Sequence, residues 1–380
     1  MKRFVIDATC YHPDALTGAG RLVYHLVDNL AAIDRENAYL VFGFAERFRP
    51  GLPENFRYQR IRPWGLLGPV AQEAARRSFL RKRVAHFKTD LVHCTLEMTP
   101  LYDEHTRVLF SLYDLARRNL QFSETVGRDL RTVLRTRLRY SSAKKADMIH
   151  TISHFSAELI HRRLHIDPAR IRVIYPGVDP RFTPGPSDSS VLTRHGLHDG
   201  RYLLFVGEFG RQKNEEGLIK AFLSACNDRA LPDGMQLALV GDPANLSDTA
   251  RTLLDDPAGS GVKMLGRVSD DDLLHLYRGA RALVLPSFDE GFGLPPAEAM
   301  ACGTVPIVSN ATSLPEVVGD AGLVVKPDKQ AELTDAIVRV TNDDTLHEQL
   351  QARGRKRAER FSFSAMTRQL HALYCEMTDG

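Results

Sequence analysis

Short apolar runs rich in β-branched residues recur along this chain, separated by stretches with helical spacing. In the first half, Phe4-Val-Ile6, Tyr39-Leu-Val-Phe42, Leu91-Val-His-Cys94, Val108-Leu-Phe110, Met148-Ile-His-Thr151 and Arg172-Val-Ile174 read as strands. In the second half, the same reading falls on Tyr202–Val206, Gln236–Val240, Val262–Leu265, Ala282–Leu285, Thr304–Val308 and Leu323–Val325. These runs are nearly continuous in apolar residues rather than alternating, as strands covered on both faces require. Strands alternating with helices predict parallel sheets with helices on either side. Between the halves, Tyr175 to Ser187 holds four prolines and two glycines, the composition of a linker. The pattern therefore predicts an α/β chain of two doubly wound domains. In such sheets ligands bind beyond the C-terminal strand ends, so two facing domains would enclose a cleft. The last stretch, Ser364 to Met377, is amphipathic and fits a helix packed back across the linker.

Composition narrows this only a little. The chain has 380 residues, too many for one ordinary core. Hydrophobic content of 43% with 26% charged residues is that of a globular enzyme. No apolar stretch approaches the roughly 18 residues of a membrane span. Met1 to Asp7 runs straight into a strand, which predicts a chain without a secretory leader. The five cysteines, Cys10, Cys94, Cys226, Cys302 and Cys375, have no CxxC spacing and fit reduced cytosolic thiols.

Charge is more informative by halves than in total. The net charge is +3, but Met1 to Pro180 carries 29 Lys/Arg against 19 Asp/Glu, and Arg181 to Gly380 carries 21 against 28. The excess gathers at Arg76, Arg77, Arg81, Lys82 and Arg83, and along Arg128 to Lys145. On a helix, Arg128, Arg131, Arg135 and Arg139 share one face. A solvated face is the plain reading. Attraction to anionic lipid head groups, or to a lipid-linked diphosphate, is the functional one. The basic stretches lack the aromatic interleaving of a nucleic-acid surface, and no nucleic-acid partner is expected.

The chemistry is densest at Pro286 to Glu298. A strand precedes this segment, and helix formers from Ala297 follow Pro296. Glu290 and Glu298 thus stand eight positions apart on a strand-to-helix turn. Gly291 and Gly293 let the backbone turn and leave amides open. A helix N-terminus attracts phosphate, and carboxylates accept hydrogen bonds from sugar hydroxyls. The combination suits a nucleotide sugar; an acidic, well-capped helix start is the alternative. Past the first strand of the second half, Arg211 and Lys213 suit a diphosphate. Near the N-terminus, Gly18 and Gly20 open a helix and would let amides approach phosphate, without the GxGxxG spacing. His150/His154 and His161/His165 have a four-residue spacing, but no HExxH glutamate lies between them. Asp270-Asp271-Asp272 follows Ser269 and reads as a capped helix start rather than a metal site.

Taken together, these residues resemble the retaining GT-B glycosyltransferases of group 1, family 4. The resemblance is carried by Ile152-Ser153, Ile171 to Asp179, Phe205-Val-Gly207, Lys213-Asn214, Leu265 to Val268, Glu290 to Leu294, Glu298 to Gly303 and Ser313 to Asp320. It implies the GT-B fold, two Rossmann-like domains facing across a cleft. Residues 1–175, joined by the helix 363–380, would bind acceptor, and 176–362 would bind donor. At matching positions it implies that Glu290 holds the donor sugar's hydroxyls and Glu298 the ribose. Phe292, Gly293 and Leu294 would offer amides to sugar and phosphate. Lys213 with Arg211 would neutralise the diphosphate, Gly18 and Gly20 would close over it from the other domain, and Gly207, Gly266 and Val268 would border the donor. Where many relatives have His-Asp, this chain has Tyr113-Asp114; the resemblance implies that both belong to the catalytic set, with Tyr113 touching the sugar or the acceptor in place of an imidazole. Gln212 stands where Arg is common.

The resemblance further implies a retaining reaction with no metal or other cofactor. A hexose, mannose or rhamnose, would pass from a nucleotide sugar, GDP-linked by preference, to a lipid-diphosphate-linked glycan in bacterial surface polysaccharide or O-antigen assembly. The protein would then work in the cytoplasm, peripheral to the inner face of the cell membrane. A nucleotide-sugar epimerase of the same fold and a non-catalytic donor-binding regulator remain as alternatives.

Overall fold

A computed structural model describes residues 1–12, 18–49, 51–61, 82–95, 105–113, 130–255 and 261–379. The chain divides into two compact units, Met1–Gly177 with Phe363–Gly380, and Val178–Ser362.

The first unit is built on a parallel sheet of seven strands. These are β1 (Arg3–Asp7), β2 (Ala38–Gly43), β3 (Phe56–Arg60), β4 (Leu91–Cys94), β5 (Arg107–Ser111), β6 (Met148–Thr151) and β7 (Ile171–Val173). Their order is β3-β2-β1-β4-β5-β6-β7, so the winding reverses between β1 and β4. The helix Gly18–Ile33 turns Leu22, Leu26 and Leu30 into the core. Against it packs the C-terminal helix Phe363–Thr378, which buries Phe363, Met366, Leu370, Leu373 and Tyr374. Each such side chain contributes roughly 1.5–3 kcal/mol relative to exposure. The helix therefore belongs to the first unit energetically, although the whole second unit separates it in sequence. Gly177 marks where the chain leaves: a Cβ there would lie 2.3 Å from the Phe363 amide nitrogen.

The second unit holds six parallel strands, β8 (Tyr202–Val206), β9 (Gln236–Val240), β10 (Val262–Gly266), β11 (Ala282–Leu285), β12 (Val305–Ser309) and β13 (Leu323–Val325). The order β10-β9-β8-β11-β12-β13 reverses between β8 and β11. Leu203, Phe205, Leu237, Leu239, Val284 and Ile307 form its centre. The expected pair of doubly wound parallel sheets is present. The order has a consequence for chemistry. Since β8 and β11 are neighbours, the loops that follow them start side by side, at the switch point where doubly wound sheets bind ligands.

Candidate active site

Two loops build the site in the second unit. After β8 the chain runs Gly207 to Asn214. Gly210, at φ 139°, turns it, the Lys213 amide donates to the Gly210 carbonyl at 2.8 Å, and Asn214 starts the helix Glu215–Asn227. After β11 it runs Pro286 to Gly293 into the helix Leu294–Cys302. The loops are tied directly, because the Phe288 amide donates to the Gln212 carbonyl at 2.7 Å.

Their side chains meet. Lys213 Nζ lies 2.5 Å from Glu290 Oε1, with the side chains 24% and 10% exposed. Ser287 Oγ donates to the same carboxylate oxygen at 2.9 Å, and the Glu290 amide donates to Thr312 Oγ1 at 3.2 Å. Ser313 Oγ donates to the Phe292 carbonyl at 2.9 Å. The glutamate is thus fixed by its own backbone, a hydroxyl and an ammonium. A charge held this way needs little rearrangement to receive a ligand.

Gly293 precedes the helix at φ 100°, and a Cβ there would come within 2.6 Å of Leu314 Cδ2. A side chain would force the first-turn amides away from their present aim. Phe292 is buried edge-on to Phe361, and Leu294 begins the helix. One turn on, Glu298 Oε2 accepts a hydrogen bond from the Tyr277 hydroxyl at 2.8 Å. Burial, followed by the Glu298 charge, raises the Tyr277 pKa well above the ordinary phenol value, so Tyr277 remains a donor. Gly207 ends β8 with its amide on the Val240 carbonyl. Gly266, at φ 71°, ends β10 after a register shift, and half-buried Val268 follows it.

Arg211 is exposed and lines a 430 Å³ depression with Lys220, Ser247, Phe288, Asp328 and Gln330. Asp270, Asp271 and Asp272 open a helix capped by Ser269, with Arg181 near Asp270 and Arg194 near Asp272. In the first unit, Gly18 and Gly20 fall in the first turn of their helix. Tyr113 is only 8% exposed, and its ring stands edge-on to His150 at 5.5 Å. Burial raises its pKa, so it carries no charge for base catalysis. Asp114 lies outside the described residues, as do Arg76, Arg77, Arg81 and Arg128. Lys144 and Lys145 are exposed at the end of the helix Leu130–Lys145. Among the described residues no group of three or more His, Cys, Asp or Glu could hold a metal, and no described helix is long and apolar enough to cross a membrane.

Sequence reasoning missed Ser287, Thr312 and Tyr277. Ser287 sat inside the motif it flagged. Thr312 and Tyr277 gave no local signal, since only folding brings them to Glu290 and Glu298.

Comparison with known proteins places this geometry. The chain is 36% identical over 233 residues to O-antigen chain mannosyltransferase B of Escherichia coli, covering 60% of this chain and 61% of that protein. It is 30% identical over 230 residues to the serotype-specific mannosyltransferase WbdA of Escherichia coli, covering 58% of this chain and 28% of that protein. These alignments thus span less than two thirds of the relatives' own lengths. Among solved structures, sucrose-phosphate synthase of Thermosynechococcus elongatus superposes with a TM-score of 0.74 at 22% identity, covering 99% of both chains. HepE of Anabaena in complex with UDP-glucose gives 0.73 at 17% identity, covering 99% of this chain and 100% of that one. Residues 16–182 match Glycosyltransferase Family 4, and residues 193–357 match Glycosyl transferases group 1. Each parallel-sheet unit carries its own half of the pattern, and the chain belongs to the group 1 GT-B glycosyltransferases.

Proposed function

We propose that this chain is a retaining transferase of mannose or deoxymannose (rhamnose). The donor is a nucleotide sugar, GDP-linked by preference, and the acceptor is a glycan on a lipid diphosphate in O-antigen assembly. The Escherichia coli relatives are named for O-antigen and serotype-specific mannosyl transfer, which supports this substrate class. The observation that carries the reading is the Lys213–Glu290 pair, set at the β8/β11 switch point beside a helix N-terminus.

Each group of that cluster has a task in such a reaction. The Glu290 carboxylate accepts from hydroxyls of the donor sugar, and Glu298, aimed by Tyr277, accepts from the ribose. Lys213 exchanges its carboxylate partner for the diphosphate. As the C1–O bond breaks, positive charge grows on the sugar and negative charge on the departing diphosphate. Lys213 and the amides leading into Leu294–Cys302 stabilise that second charge, commonly the largest contribution in such catalysis. A leaving phosphate oxygen takes the acceptor hydroxyl's proton, and the acceptor oxygen bonds to C1 from the side the phosphate left. The configuration is retained with no metal in the scheme. The exposed basic residues of the first unit, Lys144 and Lys145 among them, favour an anionic lipid-bearing acceptor at the membrane's inner face.

The test is nucleotide release from a panel of GDP- and UDP-sugars, with and without lipid-linked acceptor, in excess EDTA. Release that requires acceptor supports the transferase. Interconversion of sugars without release means an epimerase, and binding without either means a regulator. Loss of transfer in EDTA that manganese restores would refute the metal-free scheme.

A further inference from the structure

Parallel sheets covered on both faces are normally filled with aliphatic side chains. The first unit departs from this along one row. Tyr374, His93, Ser111 and His150 are all buried, at 1% exposure or less, and bond in series. The Tyr374 hydroxyl lies 2.6 Å from His93 Nδ1, His93 Nε2 lies 2.7 Å from Ser111 Oγ, and Ser111 Oγ lies 2.8 Å from His150 Nδ1. His150 Nε2 ends the row, 3.2 Å from the Ile174 carbonyl.

The last contact settles the direction of all the others. A carbonyl only accepts, so His150 carries its proton on Nε2 and accepts on Nδ1. Ser111 must then donate to His150. His93 in turn donates from Nε2 to Ser111, and Tyr374 donates to His93. The Tyr113 ring stands edge-on to His150, at 5.5 Å and 82°. The backbone is pinned beside it, because the Leu112 amide donates to the His150 carbonyl and Thr151 Oγ1 donates to the Leu112 carbonyl, both at 2.8 Å. Ser111 closes β5, so the row lies just beneath the C-terminal strand edge, where doubly wound sheets bind ligands.

We propose that Tyr374, on the C-terminal helix, is a positioning residue for Tyr113 and acts through His93, Ser111 and His150. This rests on the reading above that Tyr113 borders the transferred sugar or its acceptor. Tyr113 then works by the placement of its ring, which packs edge-on against His150. The row makes the C-terminal helix part of the transfer machinery of the first unit.

The experiment measures transfer kinetics, nucleotide affinity and histidine ¹⁵N NMR on the full chain. Its variants are Tyr374→Phe, Ser111→Ala, Ser111→Thr and Tyr113→Ala. In the wild type both imidazoles are expected neutral with Nε2 protonated. In Tyr374→Phe the His150 signals shift although three hydrogen bonds separate the two side chains. Tyr374→Phe and Ser111→Ala each lower kcat about tenfold, the scale of one misaligned contact near the reacting atoms. Nucleotide affinity stays within about twofold, as the 1.4 kcal/mol-per-decade scale makes negligible. Ser111→Thr, which keeps the hydroxyl, restores the rate. Wild-type kcat in both Tyr374→Phe and Ser111→Ala, while Tyr113→Ala is inactive, overturns the positioning role alone. Wild-type kcat in Tyr113→Ala overturns it together with the assignment of Tyr113 to the site.

Discussion

Lys213 and Glu290 hold each other at 2.5 Å, and the glutamate keeps a second partner in Ser287. Lys213→Ala therefore spares most of the carboxylate's placement while removing the cation from the leaving group. Its kcat for transfer is expected to fall about 10²–10³-fold, measured as steady-state nucleotide release with acceptor. Neutral replacement of Tyr277 by Phe reaches Glu298 only indirectly and should raise KM for the donor more than it lowers kcat. A different test at single residues concerns acid. Burial lowers the His150 pKa from 6.5 to about 4, and His93 is lowered too, by burial and then by His150. Between those values the unfolded chain binds the proton that the folded one refuses. The stabilisation is therefore present above about pH 6.5 and lost as pH falls towards 4. For His150 alone the loss amounts to about 3 kcal/mol. Urea unfolding at pH 7.0 and pH 4.5 should show it, and replacing His150 with Gln should flatten the dependence. An unchanged slope would show that His150 takes up its proton alike in the folded and the unfolded chain.

The helix Leu294–Cys302 owes its aim to the residue before it. Gly293→Ala places a Cβ against Leu314 at φ 100°, at a cost of about 1–3 kcal/mol. The variant should melt lower and bind nucleoside diphosphate more weakly, as calorimetry with and without nucleotide would reveal. Equal melting and affinity would mean that the turn tolerates a side chain. Which elements the sequence disclosed follows from burial. Leu91–Cys94, Met148–Thr151, Tyr202–Val206 and Ala282–Leu285 are recognisable because they are apolar nearly throughout, being covered on both faces. The strand Phe56–Arg60 passed unnoticed, since only Phe56 of Phe-Arg-Tyr-Gln-Arg is buried at the sheet's edge. Composition cannot distinguish such a strand from a loop. The glutamates were legible because their eight-residue spacing is local. Their pairings were not, although Lys213 itself had been picked out. Lys213 is 77 residues from Glu290 and reaches it only because β11 skips back beside β8. No periodicity encodes that crossover. The same holds for Tyr374 and His93, 281 residues apart.

At the level of the molecule, the two units have separate cores, and the first reclaims the last helix of the chain. Two unfolding transitions are therefore expected in calorimetry. Nucleotide held chiefly by residues 178–362 should raise one more than the other. At one hundred times its Kd it adds about 2.7 kcal/mol, or roughly 2–4 °C per kcal/mol for a unit of this size. A single transition would mean the units unfold together, and equal shifts in both would mean that nucleotide binding is not confined to residues 178–362. The charge is lopsided between the halves, 29 Lys/Arg against 19 Asp/Glu up to Pro180 and 21 against 28 beyond it. Everything functional depends on a sugar diphosphate lodging at Lys213, Glu290 and Glu298. Isothermal titration of GDP-mannose and UDP-glucose into the wild type, Lys213→Ala and Glu298→Ala decides it. One of the two sugars should bind the wild type, with affinity lowered about tenfold or more in each variant, about 1.4 kcal/mol for each decade. Binding of neither sugar to the wild type, or equal binding to all three proteins, would place the donor elsewhere or nowhere on this chain.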